Sequence, residues 1–329
     1  MAKPGFKKAG SFRMNVVNEG AGLLACILIK ECVYSIMDQS LEFLKSVRDS
    51  LKDIPYDEIY AHVAAIRNKM LPSARLKKGH FIDRVRINNP SDIVFTGIKD
   101  VSYIQDEEKL KYIDFGRANL PEQAVFYGSV ISPKIERPRE VAFKETSYNY
   151  KIREDLQDIS EVFTMSRWRI KEDIEVLEMI FSDEVLKVSE YAQQSLAHQE
   201  KHYKHMSTAA QMENQARFFS NEFSRDDVGK NEAYKYKISA AYINYIWEKS
   251  HLKGITYPSV QTGYLGQNVA LLPELVEKHL ELESVGMFKF EKKNGVYIPI
   301  DSFRVATDLG KDKMDFQWYD YVGAEHQHE

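Results

Sequence analysis

FGRANLPEQAVFYGS, residues 115–129, changes character at its midpoint. The first half, Gly-Arg-Ala-Asn-Leu-Pro, is loop chemistry, because glycine, asparagine and proline each favour a turn for their own backbone reason. The second half, Ala124–Tyr127, is a short apolar run that reads as a strand. An arginine therefore sits between a glycine and an asparagine, just ahead of a strand carrying a tyrosine. What that arginine is aimed at decides how the rest of the chain is read.

Working outward, the flanking segments have a similar grain. Upstream, FIDRVRINNP (residues 81–90) is a strand pattern that ends in an Asn-Pro loop and puts Arg84 and Arg86 on one face. Val94–Phe95 is a further short apolar piece. Downstream, REVAFKETS (residues 139–147) reads as a short strand over Val141–Phe143 with Glu145 at its end, and YPSVQTGYLGQN (residues 257–268) carries Ser259 into a loop. GITYPSV before that loop is a strand, and two more fall around Met287–Phe290 and Val296–Pro299.

Helical patterning surrounds these strands. Leu24, Ile27, Val33, Ile36, Leu41, Leu44 and Val47 predict a helix within residues 20–52, and a second runs from Tyr56 to Leu71 before Pro72. Ile174, Leu177, Phe181, Val185, Val188, Ala192 and Leu196 recur at steps of three or four and predict an amphipathic helical block. Ser182 is placed to start a new helix inside it. The polar loop FSRDDVGKNEA follows, then a helix over 235–250 with Gly254 as its C-cap. The class is α+β. Residues 1–75 form an N-terminal helical extension, residues 76–329 a second unit, and about 150–230 a helical insertion within it.

Composition narrows the function. The chain has 329 residues, enough for one large domain with an appendage or for two domains at roughly 100–200 residues each. Its net charge of −4 gives no basic surplus for nucleic acid. The longest apolar run, Ala21–Ile29, falls short of the roughly 20 residues of a membrane helix. Two cysteines, Cys26 and Cys32, do not make a disulfide framework, and no signal peptide pattern is recognised, so a cytoplasmic location is expected. No G-x-G-x-x-G follows a strand and no Gly-Lys-Ser/Thr loop occurs, which removes the Rossmann and P-loop readings. His198, His202 and His205 share one side of a helix dense in Gln, Glu and Lys. They read as a solvated face, and no metal site is expected.

Taken in order, DRVRI, GRANLPEQAVFYGS, AFKET and GITYPSVQTGYLGQNVAL resemble the RES domain family, over about residues 80–285. The second and fourth stretches are long and specific. The resemblance implies an ADP-ribosyltransferase-like fold of short strands. It also implies an NAD-consuming activity that releases nicotinamide by hydrolysis or phosphorolysis, in many members as the toxin of a toxin–antitoxin pair. NAD is then the substrate and no separate cofactor is needed. Alternatives are ADP-ribosyl transfer to a macromolecule, or an interaction protein with a vestigial NAD pocket. Partners compatible with the resemblance are NAD, an antitoxin or regulatory protein, and a second copy of the chain; nucleic acid and membrane are not expected. The chain departs from compact members in the longer segment between Tyr127 and Glu145, in the helical block and in its N-terminal helices.

Residue chemistry agrees with that resemblance. Cleaving the nicotinamide–ribose bond passes through a cationic, oxocarbenium-like state, which a carboxylate stabilises; Glu145 is the candidate. A pyrophosphate calls for planar, permanently charged donors, which are supplied by Arg117 and by Arg84 or Arg86, with Arg84 preferred. Tyr127 offers a ring for the nicotinamide and a hydroxyl for a polar partner. Glu145, Arg84 and Tyr127 are the expected catalytic residues. Arg84, Arg86, Arg117, Tyr127, Ser259 and Asn268 are the expected dinucleotide contacts. Ser259 has no His/Asp partner pattern and is read as a hydrogen-bonding group, not a nucleophile. Gly116 and Asn119 shape the turn that aims Arg117.

Overall fold

A computed structural model describes residues 39–66, 69–91, 93–130, 140–147, 150, 158–293, 296–307, 309 and 316–320. The N-terminal residues up to 38, including Cys26 and Cys32, and the C-terminal His-Gln-His-Glu lie outside the described residues. Helices occupy residues 39–47 (α1) and Tyr56–Ala65 (α2). Strands Ser73–Leu76 (β1) and Phe81–Ile87 (β2) follow, then short helices Ile98–Val101 (α3) and Glu107–Leu110 (α4), strand Phe126–Val130 (β3) and helix Glu140–Thr146 (α5). Next come strands Ile159–Ile170 (β4) and Ile174–Glu178 (β5) and helices Asp183–Val188 (α6), Glu190–Tyr203 (α7), Ala209–Phe223 (α8) and Lys237–Lys249 (α9). The chain continues through Gly254–Pro258 (β6), Gln267–Leu271 (β7), Pro273–His279 (α10), Leu280–Lys293 (β8), Val296–Thr307 (β9) and Gln317–Asp320 (β10). The described protein is thus α+β, as the sequence pattern led us to expect.

The strands make one ten-stranded sheet in the order β1-β5-β6-β7-β3-β2-β4-β8-β9-β10. Neighbours are antiparallel except β5 and β6. Because side chains alternate along a strand, each strand feeds two layers. On one face Ala270 of β7 and Ile255 and Tyr257 of β6 pack under Leu41 and Leu44 of α1, Ile59 and Val63 of α2, Phe219 and Phe223 of α8, and Tyr242 and Ile246 of α9. On the other face Phe126, Val269 and Leu271 join Ile82, Trp168, Ile174 and Val176. The helices α1 and α2 therefore share a hydrophobic layer with the sheet. A smaller layer holds α5 in place, with Phe143 stacked on Phe163 at 4.4 Å between ring centroids and Phe290 beside them.

Several expectations are corrected. The block at about 150–230 is not wholly helical, because β4 and β5 occupy residues 159–170 and 174–178, ahead of the helix that begins at Asp183. Ile174 and Leu177 fit a helical step, but Val176, Leu177 and Glu178 are buried consecutively. A strand covered on both faces loses the period of two that would reveal it. Val141–Phe143 is helical, not extended, since three apolar residues are too few to show a period. Helix α9 ends at Lys249 with Ser250 as its extended C-cap. Gly254 instead opens β6, where a Cβ would lie 2.5 Å from Leu271 and 2.8 Å from Val176. Helix α2 ends at Ala65, short of Leu71, and Val94–Phe95 is not a strand.

Candidate active site

The site is built where β2 and β3 separate. They pair only at Ile82↔Val130 and Asp83↔Ser129, while β2 keeps its register with β4 all the way to Ile87↔Phe163. Beyond the last β3 pair, the side chain of Arg84 takes over. Its Nη1 donates to the Tyr127 carbonyl at 2.7 Å and its Nε to the Ser102 carbonyl at 3.0 Å. The guanidinium also lies 5.3 Å from the Phe126 ring centroid, within cation–π range. Burial, assisted by the neighbouring positive Arg86, pushes the Arg84 guanidinium down to about 10, so it stays charged at neutral pH. Arg86 points into the same opening, donates to the Asp100 carbonyl and lies 4.9 Å from the Phe95 ring centroid.

The Gly116–Asn119 turn explains why this loop is written as it is. The Gly116 N–H donates to the Asn119 carbonyl at 3.1 Å. The Asn119 amide donates to the carbonyls of Asp114 and Leu120 at 2.9 and 2.8 Å. The Tyr127 hydroxyl donates to Asn119 Oδ1 at 2.9 Å and accepts from the Ala118 N–H at 2.9 Å. A Cβ on residue 116 would meet Asn119 Oδ1 at 2.2 Å and the Tyr127 hydroxyl at 3.0 Å, so only glycine fits. Burial raises the Tyr127 phenol and keeps it neutral. With its hydroxyl spent inside the turn, Tyr127 presents its ring to the opening. The turn sends Arg117 across to the C-terminal end of α8, where Nη1 donates to the Phe223 carbonyl at 2.9 Å and Nη2 to the Arg225 carbonyl at 2.6 Å. Its guanidinium lies 5.0 Å from the Tyr236 ring centroid. Those two bonds use two of the five guanidinium donors.

Glu145 faces the arginines from the last turn of α5. It accepts the Ser259 hydroxyl at 2.6 Å and the Gln261 N–H at 3.3 Å, which hold one of its oxygens. Ser259 is fully buried, and its own N–H donates to the Gly266 carbonyl at 2.8 Å. Ser259 therefore orients the carboxylate and does not itself line the opening. Asn268, also buried, accepts the Ser129 hydroxyl at 2.9 Å on the cleft side of β7 and β3.

Arg84, Arg86, Arg117, Tyr127, Glu145 and Asn268 all line one cleft of about 610 Å³. That volume lies in the range of small-molecule sites, roughly 300–1,000 Å³. The structure thus brings these six to one opening and places Ser259 directly behind Glu145. Other lining residues escaped the sequence reading: Ser129, Tyr236, Tyr257, Gln261, and the pair Arg225 and Asp226. Ser129, Tyr257 and Gln261 stand inside stretches already singled out, one or two positions from a named residue. Arg225 and Asp226 belong to FSRDDVGKNEA, whose dense charge beside a glycine was the available signal. One wall is cationic, from Arg84, Arg86 and Arg117, and the carboxylate of Glu145 faces the same space. Such a cleft can hold an anion on one side and steady a developing cation on the other.

Among the described residues no group of three or more His, Cys, Asp or Glu side chains could hold a metal ion. His198 and His202 sit on an exposed side of α7, and His205 lies beyond its end. Among the described residues no helix is long and apolar enough to cross a membrane. The chain matches no protein-family model and no curated protein.

Proposed function

We propose that the protein consumes NAD, breaking the bond between nicotinamide and ribose, on an ADP-ribosyltransferase-like RES fold. The observation that carries this reading is one cleft lined by two arginines from separate loops and strands, Arg84 and Arg117, with a carboxylate, Glu145, pre-oriented by Ser259. In this reading the free donors of Arg84 and Arg117 grip the pyrophosphate, and the ring of Tyr127 borders the nicotinamide. Glu145 stands beside the anomeric carbon. As the C–N bond breaks, its electron pair leaves with nicotinamide and neutralises the pyridinium, and positive charge moves to the ribose. The Glu145 carboxylate stabilises that charge, in a position fixed before the reaction begins. A water or phosphate oxygen then bonds to C1′, releasing its proton to solvent.

Purified protein incubated with NAD is expected to release nicotinamide, together with ADP-ribose in water or ADP-ribose 1″-phosphate when phosphate is the acceptor. Chromatography of the products with and without phosphate identifies the acceptor. Labelled NAD in a cell lysate would expose transfer to a macromolecule. The absence of nicotinamide under all three conditions overturns the reading.

A further inference from the structure

The carbonyls that hold Arg117 belong to a segment pinned by an unusual density of charge. The Arg225 side chain is completely shut from solvent. Its Nε and Nη2 form a two-pronged pair with Asp227 at 2.8 and 2.7 Å, and its Nη1 donates to the Arg48 carbonyl at 3.0 Å and to Glu222 at 3.4 Å. Glu222, whose side chain is 1% exposed, also takes a hydrogen bond from Arg48 Nε. Lys235 closes the far side, donating to the Asp227 carbonyl and to Glu232. With Asp49 a further ion-pair partner of Nη2 at 3.5 Å, all three guanidinium nitrogens of Arg225 are engaged within the protein, so this arginine is read as structural although its residue borders the cleft.

Buried charges this well paired are seldom a net gain in stability, while leaving one unpaired is costly. Such a cluster fixes position. What it fixes here is the backbone of residues 222–227, and with it the Phe223 and Arg225 carbonyls on which Arg117 rests. It also ties that backbone to Arg48, just past α1. We infer that Arg225 is a positioning residue, which acts through Arg117: clamped between Glu222, Asp227 and the Arg48 carbonyl, it sets the cradle that aims Arg117 into the cleft and links the N-terminal helix to the site.

The inference deepens the NAD reading and rests on it for the ligand, but its geometry can be tested without turnover. Asp227→Asn leaves Arg225 in place and weakens its two-pronged pair. Asp227 is exposed, so this variant is expected to fold; Arg225→Lys is the second probe, keeping charge and losing the planar fork. In Asp227→Asn the rate of phenylglyoxal modification at Arg117, mapped by mass spectrometry on the full chain, is expected to rise at least ~3-fold. KM for NAD is expected to rise ~10-fold while kcat changes less than ~2-fold, because Arg117 would hold the pyrophosphate equally before and during the reaction. Combined with Arg117→Ala, the Asp227→Asn change should add no further rise in KM, since both remove the same contact. An unchanged labelling rate at Arg117 overturns the inference whatever happens to turnover. Faster labelling in a protein that never releases nicotinamide upholds the positioning role and removes the NAD reading instead.

Discussion

The two halves of β2 are chemically opposite. From Phe81 to Asp83 the strand is held between β4 and β3, with Ile82 fully buried and Asp83 in a two-pronged pair with Arg167 at 2.8 Å for both bonds. From Arg84 onward its pairing with β3 ends, and side chains stand where a backbone ladder would have run. The closed half satisfies its backbone by pairing on both sides and its one buried carboxylate by Arg167. The open half satisfies the Tyr127 and Ser102 carbonyls with the guanidinium of Arg84, a residue that also lines the cleft. A sheet that stops pairing partway along a strand thereby opens a cleft lined by side chains.

If that contrast is sound, substitutions in the two halves must separate stability from activity. The largest effect belongs to the closed half. Trp168 of β4 sits opposite Ile82, is 3% exposed, meets the Phe126 ring edge-on at 5.5 Å and donates to Ser166 Oγ at 2.9 Å. Trp168→Ala is expected to lower unfolding free energy by about 3–5 kcal/mol, measured by urea titration, while KM for NAD in the remaining folded fraction stays within about twofold. A loss below about 1 kcal/mol would mean that the closed half is not the rigid partner of the pair.

The open half should behave in the reverse way. Glu145→Gln keeps shape and hydrogen-bonding capacity towards Ser259 but removes the charge. Turnover is expected to fall at least ~100-fold, about 2.7 kcal/mol in the barrier, with the urea midpoint almost unchanged. Near-normal nicotinamide release from that variant would reassign the acid in the cleft.

Much of the open half was legible in the sequence, and the reasons are local. Arg84 and Arg86 stand two apart in a strand pattern, and the glycine of the Gly-Arg-Ala-Asn turn lies three residues from Asn119 and eleven from Tyr127, all within one short stretch. Glu145 could be placed beside the site, but not on its helix, because what holds α5 is the stacking of Phe143 on Phe163, a contact across the fold. β4 was hidden for a related reason: with Phe163, Thr164, Met165 and Ser166 buried in succession, alternation is lost in its middle. The role of Arg225 was out of reach altogether, since its partner carbonyl, Arg48, lies 177 positions away. What one turn or one strand dictates can be read from the sequence; what two distant elements do when they meet cannot.

A second carboxylate offers the finest test of the contrast. Glu178, in β5, accepts the Ser195 hydroxyl at 2.6 Å, the same distance at which Glu145 accepts Ser259. It also takes the Tyr191 hydroxyl, yet it is 2% exposed and does not line the cleft that Glu145 borders. Burial raises its carboxyl above the ordinary 4.5, against the lowering effects of the two hydroxyls and of nearby His198. The folded state then holds the Glu178 proton more tightly than the unfolded chain does. Stability from this group is therefore greatest at low pH and is lost as pH rises from the unfolded value through the folded one. Glu178→Gln removes that titration. As pH rises from below the ordinary carboxylate range towards neutrality, the difference in unfolding free energy between variant and wild type should move in the variant's favour. Nicotinamide release should be unaffected throughout. A difference that stays flat with pH would show Glu178 to be as well accommodated charged as neutral, and a change in turnover would tie a residue on the far side of β6 to the reaction.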